Sequence, residues 1–266
     1  SEDLLKRKIS LGELKKRVAK VAHHLAHCGV KSGDRVFAYM PNIPEAVVCM
    51  LAAASIGATW STCGTDYSIE GLLSRIDRVQ PSVFISATSF LWRGKESSLT
   101  STIEEVLKKS PSIKHLILVN YLSDLEQAPQ ARPLPGDPSV TTAWYRKLLE
   151  TDAAPLTFPH LPFSHPLYIM FSSGTTGKPK GIVHSAGGTL LEHKKEHILH
   201  SDLRAGDRLF YQTSTSWMMW NWLASGLACE ATVVMYDGDP MSHHGRILWE
   251  LAEEERVTHF GTSAAY

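Results

Sequence analysis

The stretch Phe171-Ser172-Ser173-Gly174-Thr175-Thr176-Gly177-Lys178-Pro179-Lys180-Gly181 decides how the rest of this chain is read. Two Ser, two Thr, three Gly and two Lys fall within eleven residues, directly after the apolar run Leu167-Tyr168-Ile169-Met170. Glycine permits sharp turns and a close approach of backbone N–H groups to a ligand, and successive N–H groups in such a turn form a concave anion site. Hydroxyls of Ser172, Ser173, Thr175 and Thr176 add donors, and Lys178 and Lys180 add charge. One coherent use is to cradle a polyphosphate; the other reading is a flexible, solvated turn. A Walker A loop is excluded, because G-x-x-x-x-G-K-[ST] needs Gly at position 172 and Ser or Thr at 179, where this chain has Ser172 and Pro179. Proline there also impairs the helix that a Walker loop enters.

Helical and extended patterns alternate on both sides of the loop. Leu14, Val18, Val21, Ala22 and Leu25 recur at helical spacing between Leu11 and Cys28, with Gly29 as a stop signal. Arg35–Met40 reads as a short buried strand, and Pro44 opens a helix to Ile56, closed by Gly57. Helix Ile69–Val79, strand Val83–Ser86, helix Leu99–Lys108 and strand His115–Val119 follow. After the loop come strand Gly181–Val183, helix Ala186–Leu199, strand Arg208–Tyr211 and helix Trp217–Ala228. Strand Ala231–Met235, helix Gly245–Glu254 and strand Thr258–Phe260 end the series. This rhythm predicts an α/β fold with mostly parallel sheets and flanking helices. Eight prolines crowd the region from Ser123 to Pro166, which predicts a surface excursion with one small helix at Thr142–Leu149. The expected organisation is a first α/β subdomain over 1–122, the excursion over 123–166, and a loop-bearing α/β subdomain over 167–266.

Composition narrows the function. The 266 residues balance 27 Lys+Arg against 27 Asp+Glu, which argues against a general nucleic-acid or membrane-surface binder. No apolar run approaches the ~20 residues that span a bilayer, and SEDLLKRKIS is not a signal peptide. Cys28, Cys49, Cys63 and Cys229 lack C-x-x-C spacing and read as small core residues in a reducing cytosol.

The motif F-S-S-G-T-T-G-K-P-K-G resembles the phosphate loop of the adenylate-forming superfamily, which includes acyl-CoA synthetases, luciferases and nonribosomal peptide adenylation domains. Gly33-Asp34-Arg35-Val36 and Met40-Pro41-Asn42-Ile43-Pro44-Glu45-Ala46-Val47 resemble early segments of acetyl-CoA synthetases and their relatives. Three further segments are most similar to the acetoacetyl-CoA synthetase group: Ala53–Ser61, Val183–Leu190 and Trp217–Trp222. The resemblance covers nearly the whole chain. It implies the large N-terminal domain of an ATP-dependent ligase that turns acetoacetate into its acyl-adenylate and then into acetoacetyl-CoA, using ketone bodies for lipid synthesis. Other readings are a different short-chain acyl-CoA synthetase, such as an acetyl-CoA synthetase, or an inactive nucleotide- or acyl-binding remnant.

Site roles follow from the resemblance, residue by residue. Ser172, Ser173, Gly174, Thr175, Thr176, Gly177, Lys178 and Lys180 would hold the β- and γ-phosphates of ATP, with Mg²⁺ sharing the charge. Trp217, Met218 and Met219 fall where acetyl-CoA synthetases have a Trp and two acyl-pocket residues; the residues themselves read equally as core. In Trp92-Arg93-Gly94-Lys95, Arg93 and Lys95 match a basic segment used against CoA phosphates, although Trp92 replaces the family's Arg; the segment also reads as an ordinary basic turn. The family's adenine-side turn, ribose-binding Asp and lid domain with its adenylation Lys are not found before Tyr266. The expectation is therefore a chain truncated at both ends and inactive alone. One rival pattern, His193-Lys194-Lys195-Glu196-His197, is H-x-x-E-H, which could hold zinc with Glu196 as base; a solvated polar helix face explains it too. His23 and His27 share that spacing without a nearby carboxylate, and His243-His244 read as a helix start.

Overall fold

The computed structural model describes residues 6–120, 139–172, 179–264 and 266. In chain order they form α1 (Leu11–His27), β1 (Arg35–Tyr39), α2 (Pro44–Ser55), β2 (Thr59–Cys63), α3 (Ile69–Val79), β3 (Val83–Ala87), β4 (Ser89–Trp92) and β5 (Lys95–Ser98). Next come α4 (Thr100–Lys109), β6 (His115–Val119), β7 (Thr141–Trp144), α5 (Tyr145–Glu150), β8 (Pro166–Ser172), β9 (Lys180–Ser185) and α6 (Ala186–Lys195). The remainder is β10 (Arg208–Tyr211), α7 (Met218–Ser225), β11 (Thr232–Val234), the short turn α8 (Ser242–Gly245), α9 (Ile247–Glu254) and β12 (His259–Gly261).

Helix ends are set by local chemistry. The Ser10 hydroxyl accepts from the Glu13 N–H at 3.1 Å to cap α1, and Ser68 accepts from Gly71 at 3.3 Å to cap α3. Pro44 takes the first turn of α2, where its missing N–H costs nothing. In α3 the buried residues Leu72, Ile76 and Val79 share one face, as the spacing i, i+4, i+7 requires.

Seven strands form the first sheet in the order β7-β6-β3-β1-β2-β8-β9, and every neighbour pairs parallel except β8 with β9. Burial runs unbroken through β3 and through nearly all of β1 and β6, because helices cover both faces. A second, three-stranded sheet has the order β11-β10-β12 and is parallel throughout. Strands β8 and β9 complete the first sheet, whose last strand ends at Ser185. Helix α7 lies between them: Trp220 and Ala224 join the main core, while Leu223 packs with Leu203, Leu209 and Ala231.

Several expectations are corrected. Thr59–Cys63 is a buried strand at the middle of the sheet, although its hydroxyl-rich sequence carries little apolar signal. The segment Thr142–Leu149 divides into β7, whose β-branched residues pair with β6, and the one-turn helix α5. The long helix from Ala186 changes at Glu196 to a π turn ending at His200, where the Ser201 N–H donates to Glu196 O at 3.0 Å. The helix from Trp217 tightens at Gly226, where a Cβ would stand 2.8 Å from the Leu209 Cδ2 methyl and would push it aside. His243 and His244 have φ of 54° and 58°, so they form a kinked turn before α9 and not a helix start. All four cysteines are free, and no helix among the described residues is long and apolar enough to cross a membrane.

One side chain makes several of the bonds that join the two sheets. Asn42, in the turn after β1, donates through Nδ2 to Thr213 O at 3.2 Å and Tyr236 O at 3.1 Å. Its Oδ1 accepts from the Trp220 indole at 2.9 Å. An Asn42→Asp change removes both donors and sets a carboxylate against two carbonyls. We expect it to lower unfolding stability by about 3 kcal/mol, seen as a lower denaturant midpoint with an unchanged slope. A change below about 0.5 kcal/mol would show that this junction does not hold the sheets.

Candidate functional site

Parallel strands place their carboxyl ends on one edge, and ligands of open α/β sheets bind beyond that edge. Here the carboxyl ends of β1 and β2 face the loops that leave β10 and β11. The Thr215 hydroxyl donates to Met40 O at 2.8 Å, the Gly64 N–H donates to Ser216 Oγ at 2.5 Å, and Asn42 spans to Thr213 and Tyr236. Strand β8 is parallel to β2, so its carboxyl end, and the Gly/Ser/Thr/Lys loop that leaves it, lies on this same edge.

The structure places the two ends of that loop. Ser172 closes β8 and Lys180 opens β9, paired in register across the antiparallel ladder, and both are exposed. Ser173, Gly174, Thr175, Thr176, Gly177 and Lys178 lie outside the described residues. Arg75 stands beside the loop's upstream limb: its guanidinium lies 4.1 Å from the centroid of the Tyr67 ring and 5.5 Å from that of Phe171. Nearby, burial raises the Asp66 carboxyl above its ordinary range, despite a backbone hydrogen bond and Arg75.

The aromatic–Met run is divided by the start of α7. Trp220 is 0% exposed and belongs to the core. Trp217 and Met218 are 64% and 46% exposed, and Met219 is half-buried. These residues stand directly after the loop Thr213–Ser216 that meets β1 and β2. Most of the Trp217 side chain and about half of Met218 face solvent.

Trp92-Arg93-Gly94-Lys95 is the tip of the β4–β5 hairpin. Arg93 and Gly94 have φ of 51° and 71°, as a two-residue turn between twisted strands requires. Arg93 Nε donates to Asp239 Oδ2 at 2.6 Å, joining the hairpin to the loop after β11. Burial raises the Asp239 carboxyl, but the Met241 N–H and Arg93 outweigh it and hold the group low. Arg93 is thus engaged by a carboxylate, whereas Lys95 lies exposed at the foot of the turn.

The H-x-x-E-H pattern is neither a metal site nor a solvated face. His193 and His197 are buried, and both hydrogen-bond the Ser225 hydroxyl, at 3.0 and 2.9 Å. His197 Nε2 also donates to Trp222 O at 3.0 Å, and its ring lies 4.2 Å from that of Trp222. Glu196 turns away to Lys195 at 3.1 Å and His200 at 3.7 Å. No cluster able to hold a metal occurs among the described residues. Sequence reading missed Asn42, Asp66, Arg75 and the hydroxyl run Thr213–Ser216 as parts of this edge. The run of four hydroxyl residues just before Trp217 was the available signal for the last of these.

A family model described as AMP-binding enzyme matches residues 4–265. The acetoacetyl-coenzyme A synthetase of Rhizobium meliloti (strain 1021) is 46% identical over 267 residues, covering all of this chain and 40% of that protein. The acetoacetyl-CoA synthetase of Gallus gallus is 44% identical, with 100% and 39% covered. Among solved structures, the acetoacetyl-CoA synthetase from Streptomyces lividans superposes with a TM-score of 0.90 at 40% identity, over 100% of this chain and 39% of that one. The chain therefore spans about 40% of the length of the relatives it matches.

The buried histidines give a pH test. Burial, reinforced by His197 and His184, pushes His193 down to about 4, and burial also lowers His197. The unfolded chain protonates these rings near 6.5, so their contribution is complete above that pH and is lost as pH falls toward 4. For His193 the loss should approach ~3 kcal/mol. A His193→Gln variant, compared with the parent by denaturant titration between those limits, should lose less stability on acidification. Equal slopes would show that His193 takes up its proton without opposing the fold.

Proposed function

This chain belongs to the AMP-binding enzyme family, and on that premise we propose that it forms part of an ATP-dependent acid–thiol ligase that activates acetoacetate. The observation that carries this reading is the position of Ser172 and Lys180. They bracket a loop rich in hydroxyls and lysine at the carboxyl end of β8, on the edge where exposed Trp217 and Met218 also stand. The reaction has two steps. The acid's carboxylate attacks the α-phosphorus of ATP and expels pyrophosphate, leaving an acyl-adenylate. The thiol of CoA then attacks the acyl carbon and releases AMP.

Positioning and charge neutralisation carry the first step. Backbone N–H groups of Ser173–Gly177, the hydroxyls of Ser172, Ser173, Thr175 and Thr176, and the ammonium groups of Lys178 and Lys180 would hold the leaving phosphates. Mg²⁺ would enter with the nucleotide, since this ion commonly binds substrate phosphates plus few protein groups. Trp217, Met218 and Met219 would border the acid's short chain, and an unbranched thioether adapts well to such a slot. Of the two basic hairpin residues, Lys95 is the better placed to meet a CoA phosphate, because Arg93 already serves Asp239. Four free cysteines fit a reducing compartment such as the cytosol.

Two experiments on the longer protein that contains this chain test the reading. Lys180→Ala, and separately Thr175→Val with Thr176→Val, should each slow acetoacetate-dependent pyrophosphate exchange at least about tenfold, the scale of one lost charge-assisted contact. Unchanged exchange would remove the loop from the phosphate site. Met218→Ala and Met219→Ala should shift acid preference toward longer or branched chains in a graded way, because one methylene discriminates by only ~1–3 kcal/mol. Lower stability with an unchanged acid profile would make both residues packing groups instead.

A further inference from the structure

Beneath the first turn of α7 lies a cavity of about 10 Å³, bounded by α7, β2 and β8 and by the loop before α7. Trp60, Thr62, Met170, Ser216 and Asn221 contribute to its wall. Three polar atoms on that wall are buried without a partner among the described residues: Trp60 Nε1, Thr62 Oγ1 and Asn221 Oδ1. Trp60 is 1% exposed and Asn221 is 3% exposed, so bulk water does not reach them. Trp60 and Thr62 are two apart on β2 and project to the same face, toward α7. Buried polar groups in folded proteins are almost always paired, and one cavity that gathers three orphaned ones points to a ligand shared among them.

The chemistry of the three atoms identifies that ligand. Trp60 Nε1 can only donate. Asn221 Oδ1 can only accept, and the amide's orientation is fixed by its other end: Nδ2 donates to Met170 Sδ at 3.5 Å, a thioether that offers no proton in return. Thr62 serves either way. The occupant must therefore accept one hydrogen bond and donate another. A carboxylate or keto oxygen cannot donate, and an ammonium cannot accept. The space beside these atoms, about 10 Å³ for a water-sized sphere, is that of one water molecule.

We propose that this cavity is a binding site for a single structural water, which accepts from Trp60 Nε1–H, donates to Asn221 Oδ1 and pairs with the Thr62 hydroxyl. The water bridges the middle of the first sheet to the buried side of α7, one turn along from exposed Trp217 and Met218. It thereby completes the contact between β2 and α7 that direct side-chain bonds leave open. The site is independent of the acid proposed above.

Crystal structures of the protein at a resolution that shows ordered solvent test this, for the parent, Asn221→Leu and Thr62→Val, with a parent crystal soaked in acetoacetate. The parent should show one solvent peak within hydrogen-bond reach of all three atoms, unchanged by the soak. Asn221→Leu fills the cavity and should abolish the peak. Should that variant fail to fold, Thr62→Val keeps the volume, removes one partner and should show the peak weakened. An empty cavity in the parent, an Asn221 side chain turned to a protein donor, a peak of full strength in Thr62→Val, or acid density in the soaked cavity would each overturn the proposal.

Discussion

The amide side chain of Asn42 makes three hydrogen bonds that help join the two sheets. Asn42 offers two donors and an acceptor, and all are used: the donors on carbonyls of the loops after β10 and β11, the acceptor on the indole of α7. The residue is buried, so each of those bonds replaces one that water cannot supply. Its place follows from local rules. Strand β1 ends at Tyr39, Pro44 fixes the entry to α2, and the short turn between them must direct its polar groups toward whatever lies beyond the sheet's carboxyl edge. The partners are loops of the second sheet, so these bonds bring the carboxyl end of β1 against the loops that leave β10 and β11.

Helix α7 is the wall these sheets share, and its sequence has to satisfy two neighbours within eight residues. Trp220 and Ala224 turn to the first sheet and Leu223 to the second. Trp217 and Met218, at the end next to the loop that leaves β10, have no core to enter. The same constraint shapes the turn at the helix's far end. Gly226 allows the chain to pass against Leu209, and Ser225 collects both buried histidines, so the pattern that resembled a zinc site is a packing junction between α6, its π turn and α7. Burial that lowers the proton affinity of the histidines also suits them to that role, since a neutral ring is easily placed beside another.

Elements with a clear apolar period were legible in the sequence. α1, α3, β1, β3 and β6 stand within a residue or so of where spacing put them, because helices covering both sheet faces demand continuous apolar strands and one-sided helices. β2 was not legible. Its Thr, Ser and Cys residues carry little hydrophobic signal, and only the strands on either side make them buried. The β4–β5 hairpin was hidden too, since its turn uses Arg93 at positive φ where a glycine or asparagine would have announced it. The Gly/Ser/Thr/Lys stretch from Ser172 to Lys180 stands out in the sequence because its residues are consecutive. Asn42, Asp66, Arg75 and Thr213–Ser216 come from separate segments, and nothing local links them before the chain folds.

Charge is distributed in keeping with that view of the site. The chain as a whole balances its 27 basic and 27 acidic residues, so no general field draws anions toward it. Many of its cations are tied up along the surface in pairs such as Lys109–Glu105 and Lys147–Glu150, which are exposed and contribute little to stability. Lys180 differs: it opens an edge strand opposite Ser172, with no ion pair to an acidic residue among the described residues. Arg93 shows the opposite case, a cation held by Asp239 and so committed to joining the hairpin to the second sheet. Attraction for a polyphosphate would therefore have to be local, set by the few cations the fold leaves uncommitted at the carboxyl edge of β8, and sensitive to salt only over the short range that such groups command.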